Sequence, residues 1–213
     1  MATVIDASGS GNNGATSGSV TFPSPGKVGG NYAELEVSAS SYINCGNTDG
    51  IFDFAADESF SYGCWFRTNS SGSLRSMIMK QGTSGALFQL LLESVSNRVQ
   101  FGLVDDSAHS NSQLTVGAYN DGDWHLAICI IDRGTDLASL YVDNGHVGSF
   151  GISLFGAISN PGVNLFVGAR DAGSPDRFWS GDLDEVFVVR YALTTDDVAA
   201  LWNNGNGKRI RPL

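Results

Sequence analysis

Two neighbouring carboxylates, Asp184 and Glu185, are the residues of this chain whose types and spacing first suggest chemistry. They lie in the segment GDLDEVFVV, which is followed by a short helical pattern. A carboxylate pair can cleave a glycosidic bond when the two groups are held about 5 to 9 Å apart. A carboxylate combined with backbone carbonyls supplies instead the hard oxygen ligands that calcium prefers. A third interpretation is structural: Asp184 pairs with Arg190 or a backbone amide, and Glu185 faces solvent.

Signatures of other catalytic classes are missing from the sequence. It has no G-x-S-x-G elbow for a nucleophilic serine, and neither SGSGN nor NNGNG follows a strand and opens a helix as a phosphate-binding loop does. The histidines His109, His125 and His146 are far apart and lack the i, i+4 spacing of a helical zinc site. The residues therefore predict a protein that is not an enzyme.

Composition indicates one domain built from many short strands. The chain has 213 residues, of which 42% are apolar, 16% are charged and 27 are glycine. The formal charge of -10 disfavours nucleic acid, because a nucleic-acid binder needs clustered Lys and Arg. No apolar run reaches the roughly 18 residues of a membrane span, and MATVIDASGSG has no signal-peptide pattern. We expect a soluble protein that is made in the cytoplasm.

The three cysteines do not predict a disulfide framework. Cys45, Cys64 and Cys129 leave at least one thiol unpaired, and no C-x-x-C spacing suggests zinc. Cys64 and Cys129 lie inside strongly apolar strand patterns, where a thiol usually acts as a small buried side chain. These spacings favour synthesis in a reducing compartment.

Period-two alternation predicts the strands that must position any site. In SFSYGCWFRT, Phe60, Tyr62, Cys64 and Phe66 share one face and Trp65 takes the other. The segment DWHLAICIIDRG is apolar on both faces, which predicts a central strand covered on both sides. The Asn-Gly pair of VDNGHV predicts a type I′ hairpin turn.

One short helix is predicted after the last long strand. Thr194 is the expected N-cap and Asp197 completes a capping box, while Val198, Leu201 and Trp202 form the apolar stripe. About a dozen strands with one small helix predict an all-β fold of two stacked antiparallel sheets. The basic end, GKRIRPL, is either an arm that reaches a neighbouring molecule or a frayed tail.

The order of motifs resembles the laminin-G-like, concanavalin A-type jelly-roll family, the lectin/glucanase superfamily. The residues that carry the resemblance are DASGSGNNG, GKVGGNYAELEVSASSYI, FSYGCWFRT, DGDWHLAICIIDRGTDLASLYVDNGHVG and FWSGDLDEVFVVRYALTTDDVAALWNNG. The resemblance implies a single jelly-roll domain over 1–213, with a Gly/Ser-rich segment at 1–30 and a basic tail at 206–213. It also implies binding of glycans or protein surfaces, commonly with calcium.

The resemblance implies a structural calcium at Asp184, shared with carbonyls of the N-terminal region. Where many relatives carry an Asp-Gly turn, this chain has Ser38-Ala39, so a side-chain ligand is missing there. Glucanase relatives carry E-x-D-x-x-E on one strand. No glutamate of this chain begins that motif; the glutamates are Glu34, Glu36, Glu58, Glu93 and Glu185. Hydrolysis by that route is therefore excluded.

Two polar loops and one tyrosine are the candidate ligand-binding residues. Glycan recognition combines polar loop groups with an exposed aromatic ring. Trp124 and Trp179 fall where the family usually buries an aromatic side chain, which leaves Tyr119 as the platform. The alternative interpretation is ordinary solvated loops. The candidates from VDDSAHSNSQ, RDAGSPDRFW and this tyrosine are Asp105, Asp106, His109, Asn111, Tyr119, Asp171, Asp176 and Arg177.

These observations predict a non-catalytic recognition or assembly module that binds glycans or protein surfaces. The alternative is a phage virion protein, either a capsid decoration or a tail-associated protein. Such a protein is made in the host cytoplasm without a signal and reaches the outside as part of a particle. Its partners would be capsid or tail proteins.

Overall fold

The computed structural model describes residues 2–171 and 173–210, whose regular structure is almost entirely β. The strands are β1 Thr3–Val4, β2 Gly14–Ser17, β3 Ala33–Leu35, β4 Tyr42–Asn44, β5 Phe60–Arg67, β6 Arg75–Lys80, β7 Leu87–Leu92, β8 Val99–Val104, β9 Ser110–Leu114, β10 His125–Asp132, β11 Leu137–Val142, β12 Gly145–Gly151, β13 Phe166–Val167, β14 Arg170–Asp171, β15 Pro175–Asp176 and β16 Gly181–Val189. The α-helix is α1, Thr195–Trp202, and short 3-10 helices are Val37–Ala39, Thr48–Gly50 and Asn203–Gly205.

Two antiparallel sheets form a sandwich. Sheet A has the order β1-β2-β4-β13-β6-β7-β8-β9, and sheet B has the order β12-β11-β10-β5-β16-β3. Strands β14 and β15 form a separate small hairpin that lies against β6. The predicted all-β, two-sheet sandwich with one short C-terminal helix is confirmed.

The main core lies between the sheets and follows the predicted alternation. In β5, Phe60, Tyr62, Cys64 and Phe66 all enter this core, and Trp65 points to the opposite face. Each of these side chains is essentially without solvent exposure. Burying a large apolar side chain contributes about 1.5 to 3 kcal/mol, so this one strand supplies a substantial part of the stability.

A second, smaller core covers the outer face of sheet B. Strand β10 sends Leu126, Ile128 and Ile130 into it, while its alternate residues enter the main core, so the strand is covered on both faces as predicted. Helix α1 closes this second core. Its Trp202 ring stacks on Trp65 with ring centroids 5.3 Å apart.

The helix begins at the predicted capping box. The Asp197 amide donates to Thr194 Oγ1 at 3.2 Å, and the Thr194 amide donates back to Asp197 Oδ2 at 2.9 Å. Asn203 adopts the left-handed conformation that ends the helix. In the part of the chain that the structure describes, no helix has the length and apolar character needed to cross a membrane.

The described part of the basic tail, residues 206–210, lies on the protein, so neither alternative, an arm or a frayed tail, holds for this part. The Lys208 amide donates to the Leu201 carbonyl at 3.0 Å, and Ile210 packs against the second core. Arg209 pairs with Glu185 at 3.1 Å. These contacts bind the segment to helix α1 and sheet B. The remaining tail residues, 211–213, lie outside the described residues.

The prediction that Glu185 faces solvent was wrong, whereas the predicted hairpin between β11 and β12 is confirmed, with its turn centred one residue earlier than expected. Glu185 does not face solvent freely, because a β-bulge places it at φ 46° and its side chain is only 19% exposed beside Arg209. The β11–β12 turn is centred on Asp143 and Asn144, which both have positive φ, so Gly145 already pairs with Val142. A residue with a short polar side chain tolerates that conformation nearly as well as glycine.

The cysteines are free thiols, with Cys64 and Cys129 buried as predicted. Burial and the charge of Asp6 raise the pKa of Cys45 to about 12. Because the thiolate is the reactive form, the Cys45 thiol is unreactive at neutral pH.

Candidate functional site

A groove of about 570 Å³ lies on the outer face of sheet A, over strands β7, β8 and β9. Alternation along the strands creates it. Phe88, Leu90 and Phe101 point into the main core, so the residues between them point outward. We call this feature the sheet A groove. Its floor includes Leu87, Gln89, Leu91, Gln100 and Gly102, and the other residues that line it are Leu74, Gln81, Leu103, Val104, Ser110, Asn111, Ser112 and Arg177.

The floor presents unused polar groups beside apolar ones. Among the described residues, the side-chain amides of Gln89 and Gln100 have no hydrogen-bond partner, and the buried Oε1 atom of Gln81 has no donor. Gly102 supplies the space for the Gln89 side chain, because a Cβ atom at Gly102 would lie 2.7 Å from Gln89 Nε2. An amide offers two donors and an acceptor, which suits a ligand rich in hydroxyl groups.

One wall of the groove comes from Arg177, the residue that directly follows the β14–β15 hairpin. Arg170 Nε donates to Asp176 Oδ1 at 2.7 Å, and a second hydrogen bond joins Arg170 Nη2 to Asp176 Oδ2. Arg177 follows this pair with a left-handed backbone at φ 52°, and its carbonyl accepts a hydrogen bond from the Ser76 amide at 2.9 Å. The backbone contact to β6 fixes where the Arg177 side chain begins.

The Arg177 guanidinium lies in a partly buried and positively charged environment. Partial burial, followed by the neighbouring charge of Arg170, lowers the pKa of Arg177 from its usual value, while Asp176 opposes the shift. A guanidinium titrates so far above neutrality that the group stays charged. Among the described residues, Arg177 is the one charged side chain that lines the groove.

The sheet A groove brings together two of the predicted residues, Asn111 and Arg177. Asn111 lies on the edge strand β9, between Ser110 and Ser112, and its Oδ1 accepts the Ser112 amide at 2.8 Å. Asp176 lies next to the groove but is engaged by Arg170. Asp171 turns toward its own hairpin, because its Oδ1 accepts the Gly173 amide at 3.1 Å.

Asp105, Asp106 and His109 form the loop that leads into β9. Asp105 is buried, and its carboxylate accepts hydrogen bonds from the Gly156 amide at 2.6 Å and the His109 amide at 2.7 Å. Burial alone would raise the pKa of Asp105, but these bonds outweigh it and hold the pKa below its usual value. The Asp105 carboxylate therefore fixes the loop. Asp106 accepts from the Ser107 hydroxyl at 3.3 Å.

Tyr119 lies beyond the other end of β9. Its ring meets His125 edge-on at a centroid distance of 4.9 Å and packs against the main core. The ring is thus partly buried by these contacts, and it does not line the sheet A groove. Trp179 is buried, as predicted, and Trp124 packs against the second core.

Asp184 lies on the opposite sheet from the groove. It is 5% exposed, its Oδ2 accepts the Val28 amide at 3.0 Å, and its Oδ1 accepts the Glu185 amide at 2.9 Å. The carboxylate thus ties the N-terminal region to β16 through a backbone amide, which was one of the sequence alternatives. The other does not occur, since Arg190 donates to Glu58 at 2.7 Å.

The surroundings of Asp184 are a poor fit for calcium. The ion needs six to eight oxygen ligands, whereas the nearest backbone groups present N–H donors to this carboxylate. Within residues 2–171 and 173–210, no group of three or more His, Cys, Asp or Glu side chains is arranged to hold a metal. Calcium at Asp184 stays a prediction.

Sequence reasoning missed Gln89, Gln100 and Gly102, although a signal was present. In ALFQLLLES and RVQFGLV, each glutamine interrupts an otherwise apolar run. A polar residue in a buried strand points to the face that is not core. That these two positions share one face follows from the β7–β8 register, which pairs Gln89 with Gly102 and Leu91 with Gln100.

Comparison with known proteins places these features in a family context. The model of the concanavalin A-like lectin/glucanases superfamily matches residues 37–199. A search of curated proteins gave no match. The binding domain of botulinum neurotoxin serotype G has a TM-score of 0.73 and 18% identity, covering 94% of this chain and 48% of that one. The chain therefore spans about half the length of this toxin domain.

Two smaller solved domains are matched over most of their own length. Domain 4 of AbnA, an extracellular arabinanase of Geobacillus stearothermophilus, was solved with arabinotriose. It has a TM-score of 0.66 and 16% identity, and the match covers 88% of this chain and 86% of that one. The CBM40 of a Ruminococcus gnavus sialidase, bound to α2,3-sialyllactose, has a TM-score of 0.57 and 15% identity, covering 70% of this chain and 90% of that one. At these identities the likeness concerns the fold.

Proposed function

This chain belongs to the concanavalin A-like lectin/glucanases superfamily, and from that premise we propose that it is a non-catalytic module that binds carbohydrate in the sheet A groove. The observation that carries the proposal is the groove itself. It combines leucine side chains with the unpartnered amides of Gln89 and Gln100 on one rigid sheet. A sugar presents alternating C–H and O–H groups, which match apolar and amide surfaces respectively.

The nature of the similar structures supports a binding role. The toxin domain, the arabinanase domain and the CBM40 are binding modules, and two of them were solved with an oligosaccharide. The volume of the sheet A groove lies within the usual range of small-ligand sites. Since the groove is lined by neutral side chains and one arginine, it offers no carboxylate pair for glycoside hydrolysis.

Among the described residues, His125 has carboxylate partners on both ring nitrogens and is not available as a general base. His125 contacts Asp143 through Nδ1 and Asp121 through Nε2. A general base needs a free nitrogen directed at a substrate. Both nitrogens of His125 are engaged, so the residue serves as a structural cation.

A glycan array probed with the labelled protein tests the proposed function. We expect selective retention on a subset of oligosaccharides, because a groove with fixed amide positions discriminates between hydroxyl arrangements. A signal at background on every printed glycan would contradict the proposal. Incubation of the unlabelled protein with the best-bound oligosaccharide, followed by chromatography, should show the sugar unchanged.

The phage virion role and the structural calcium stay predictions. A virion protein of this fold needs a docking face, and the basic segment proposed as an arm is folded onto sheet B as far as residue 210. Mass spectrometry of purified particles tests the first prediction. Thermal unfolding with calcium and with a chelator tests the second.

A further inference from the structure

We propose that the sheet A groove selects glycans that carry an acidic group, a carboxylate or a sulfate, which binds to the guanidinium of Arg177. The inference rests on the proposed function and names the chemical class of the ligand.

The β14–β15 hairpin and the residue that follows it carry two arginines and two aspartates, and Arg177 is the arginine that forms no ion pair among the described residues. Arg170 and Asp176 neutralise each other through two hydrogen bonds, one of them 2.7 Å long. Asp171 faces the Gly173 amide within the hairpin. Among the described residues, no carboxylate or carbonyl accepts a hydrogen bond from the Arg177 side chain, so its N–H groups are free to donate to a ligand.

The rest of the groove adds no negative charge that would repel an acid. The other described lining residues are neutral, and Gln89, Gln100 and Ser112 offer hydrogen bonds without charge. The chain as a whole carries a formal charge of -10. Charges beyond roughly 8 Å are largely screened at physiological ionic strength, so the local arginine decides the sign that a bound ligand meets.

The position of Arg177 suits two-point recognition. Its backbone is fixed to Ser76, and its side chain lies partly buried along a wall whose floor carries amides. A planar guanidinium donates two parallel N–H groups to the oxygens of a carboxylate or sulfate. The amides of the floor can then hold the neutral hydroxyls of the same sugar. A neutral glycan would leave this partly buried charge without a partner.

The test compares each acidic glycan with a neutral twin. Sialylated and uronic-acid oligosaccharides are measured beside their methyl esters, and sulfated oligosaccharides beside their desulfated forms, by calorimetry with the full chain. We expect the acidic member to bind about tenfold or more tightly, since a hydrogen bond between two charged groups is stronger than one to a neutral group. The two arms distinguish carboxylate from sulfate.

Variants assign the preference to one side chain. Arg177→Gln should remove the preference for the acidic member of each pair, and Arg177→Lys should keep part of it. Arg209→Gln is the matched control, because it changes the net charge equally at an exposed position against sheet B. If Arg177→Gln fails to fold, the salt dependence decides: only binding of the acidic twin should weaken as salt rises.

The outcomes separate the two proposals. Equal binding of both twins, or a preference that survives Arg177→Gln, would overturn the acidic-ligand inference and leave the carbohydrate-binding function standing. Absence of binding to acidic and neutral glycans alike would overturn both.

Discussion

The Nδ1 atom of His125 lies 2.6 Å from Oδ2 of Asp143, at the junction of β10 and the β11–β12 turn. Its Nε2 lies 3.0 Å from Oδ1 of Asp121, and the rings of Phe66 and Tyr119 lie against the imidazole. Burial disfavours the charged form, but the hydrogen bonds to the two carboxylates outweigh it and raise the pKa of His125. The imidazolium is the form that donates from both nitrogens.

The first prediction concerns pH. Because the pKa of His125 is raised in the folded state, its contribution to stability is fully present below the unfolded value of about 6.5 and is lost as pH rises through the folded pKa. We expect His125→Gln to lower the melting temperature more at about pH 6 than at about pH 9. The measurement is thermal unfolding of both proteins across that range. A constant difference between the two curves would exclude this linkage.

The second prediction concerns Asp184. Replacing it with Asn removes one acceptor from the Val28 and Glu185 amides, and leaving a buried donor unpaired costs about 1 to 3 kcal/mol. We expect Asp184→Asn to be destabilised by that amount in chelator-treated protein, as measured by urea unfolding. Asp123→Asn, at an exposed aspartate, is a control that should change stability little.

The same proteins test calcium at Asp184. A rise in the wild-type melting temperature with calcium that disappears in Asp184→Asn would establish the ion at this carboxylate. An unchanged midpoint would leave Asp184 with its amide-binding role alone.

The third prediction concerns Trp202. Truncation to Ala removes the ring that stacks on Trp65 and opens the second core. Since Trp202 is half-buried, the expected loss is about 2 to 3 kcal/mol, below the range for a fully buried tryptophan. Urea unfolding measures it. Val116→Ala is the control, because Val116 is 98% exposed; a similar loss in both variants would contradict the packing argument.

The fourth prediction concerns the floor of the sheet A groove. Gly102→Val places a branched side chain where the Gln89 amide now lies, and a strand accepts valine readily. We expect the fold to persist and glycan affinity to fall about tenfold or more, because the Gln89 amide is displaced and the groove is filled. Calorimetry gives the affinity.

Gly151→Val is the matched control for that experiment. Gly151 lies on β12 of sheet B, and a Cβ atom there would meet nothing within 4 Å. The affinity of the Gly151→Val protein for the glycan should equal that of the wild type. Equal weakening in both variants would show that the effect is not specific to the groove.

The sequence predicts those parts of the fold that depend on a pattern of side chains within one short segment. The alternation in β5 places Phe60 and Tyr62 on one face and Trp65 on the other. In β10 the residues at odd and at even positions are both apolar, so both faces of the strand are buried. The capping box at Thr194 depends on residues three positions apart. Each of these signals lies within one short segment.

The features that the sequence does not predict depend on contacts between distant segments. The bulge at Glu185 breaks the expected alternation, and its partner Arg209 comes from the tail. The alternation of polar and apolar residues in YAELEV continues to Val37, but strand β3 ends at Leu35 and Val37 begins a 3-10 helix that leaves it 48% exposed. The groove joins Gln89, Asn111 and Arg177 through sheet register and hairpin docking, neither of which a single segment encodes.

The most direct test of glycan binding in the sheet A groove is a nuclear magnetic resonance titration of the isotope-labelled protein with its best-bound oligosaccharide. The account predicts that the largest amide shifts occur in 87–91, 100–104 and 110–112 and at Arg177, with β10 to β12 unchanged. Shifts concentrated in sheet B or around Asp184 would contradict it.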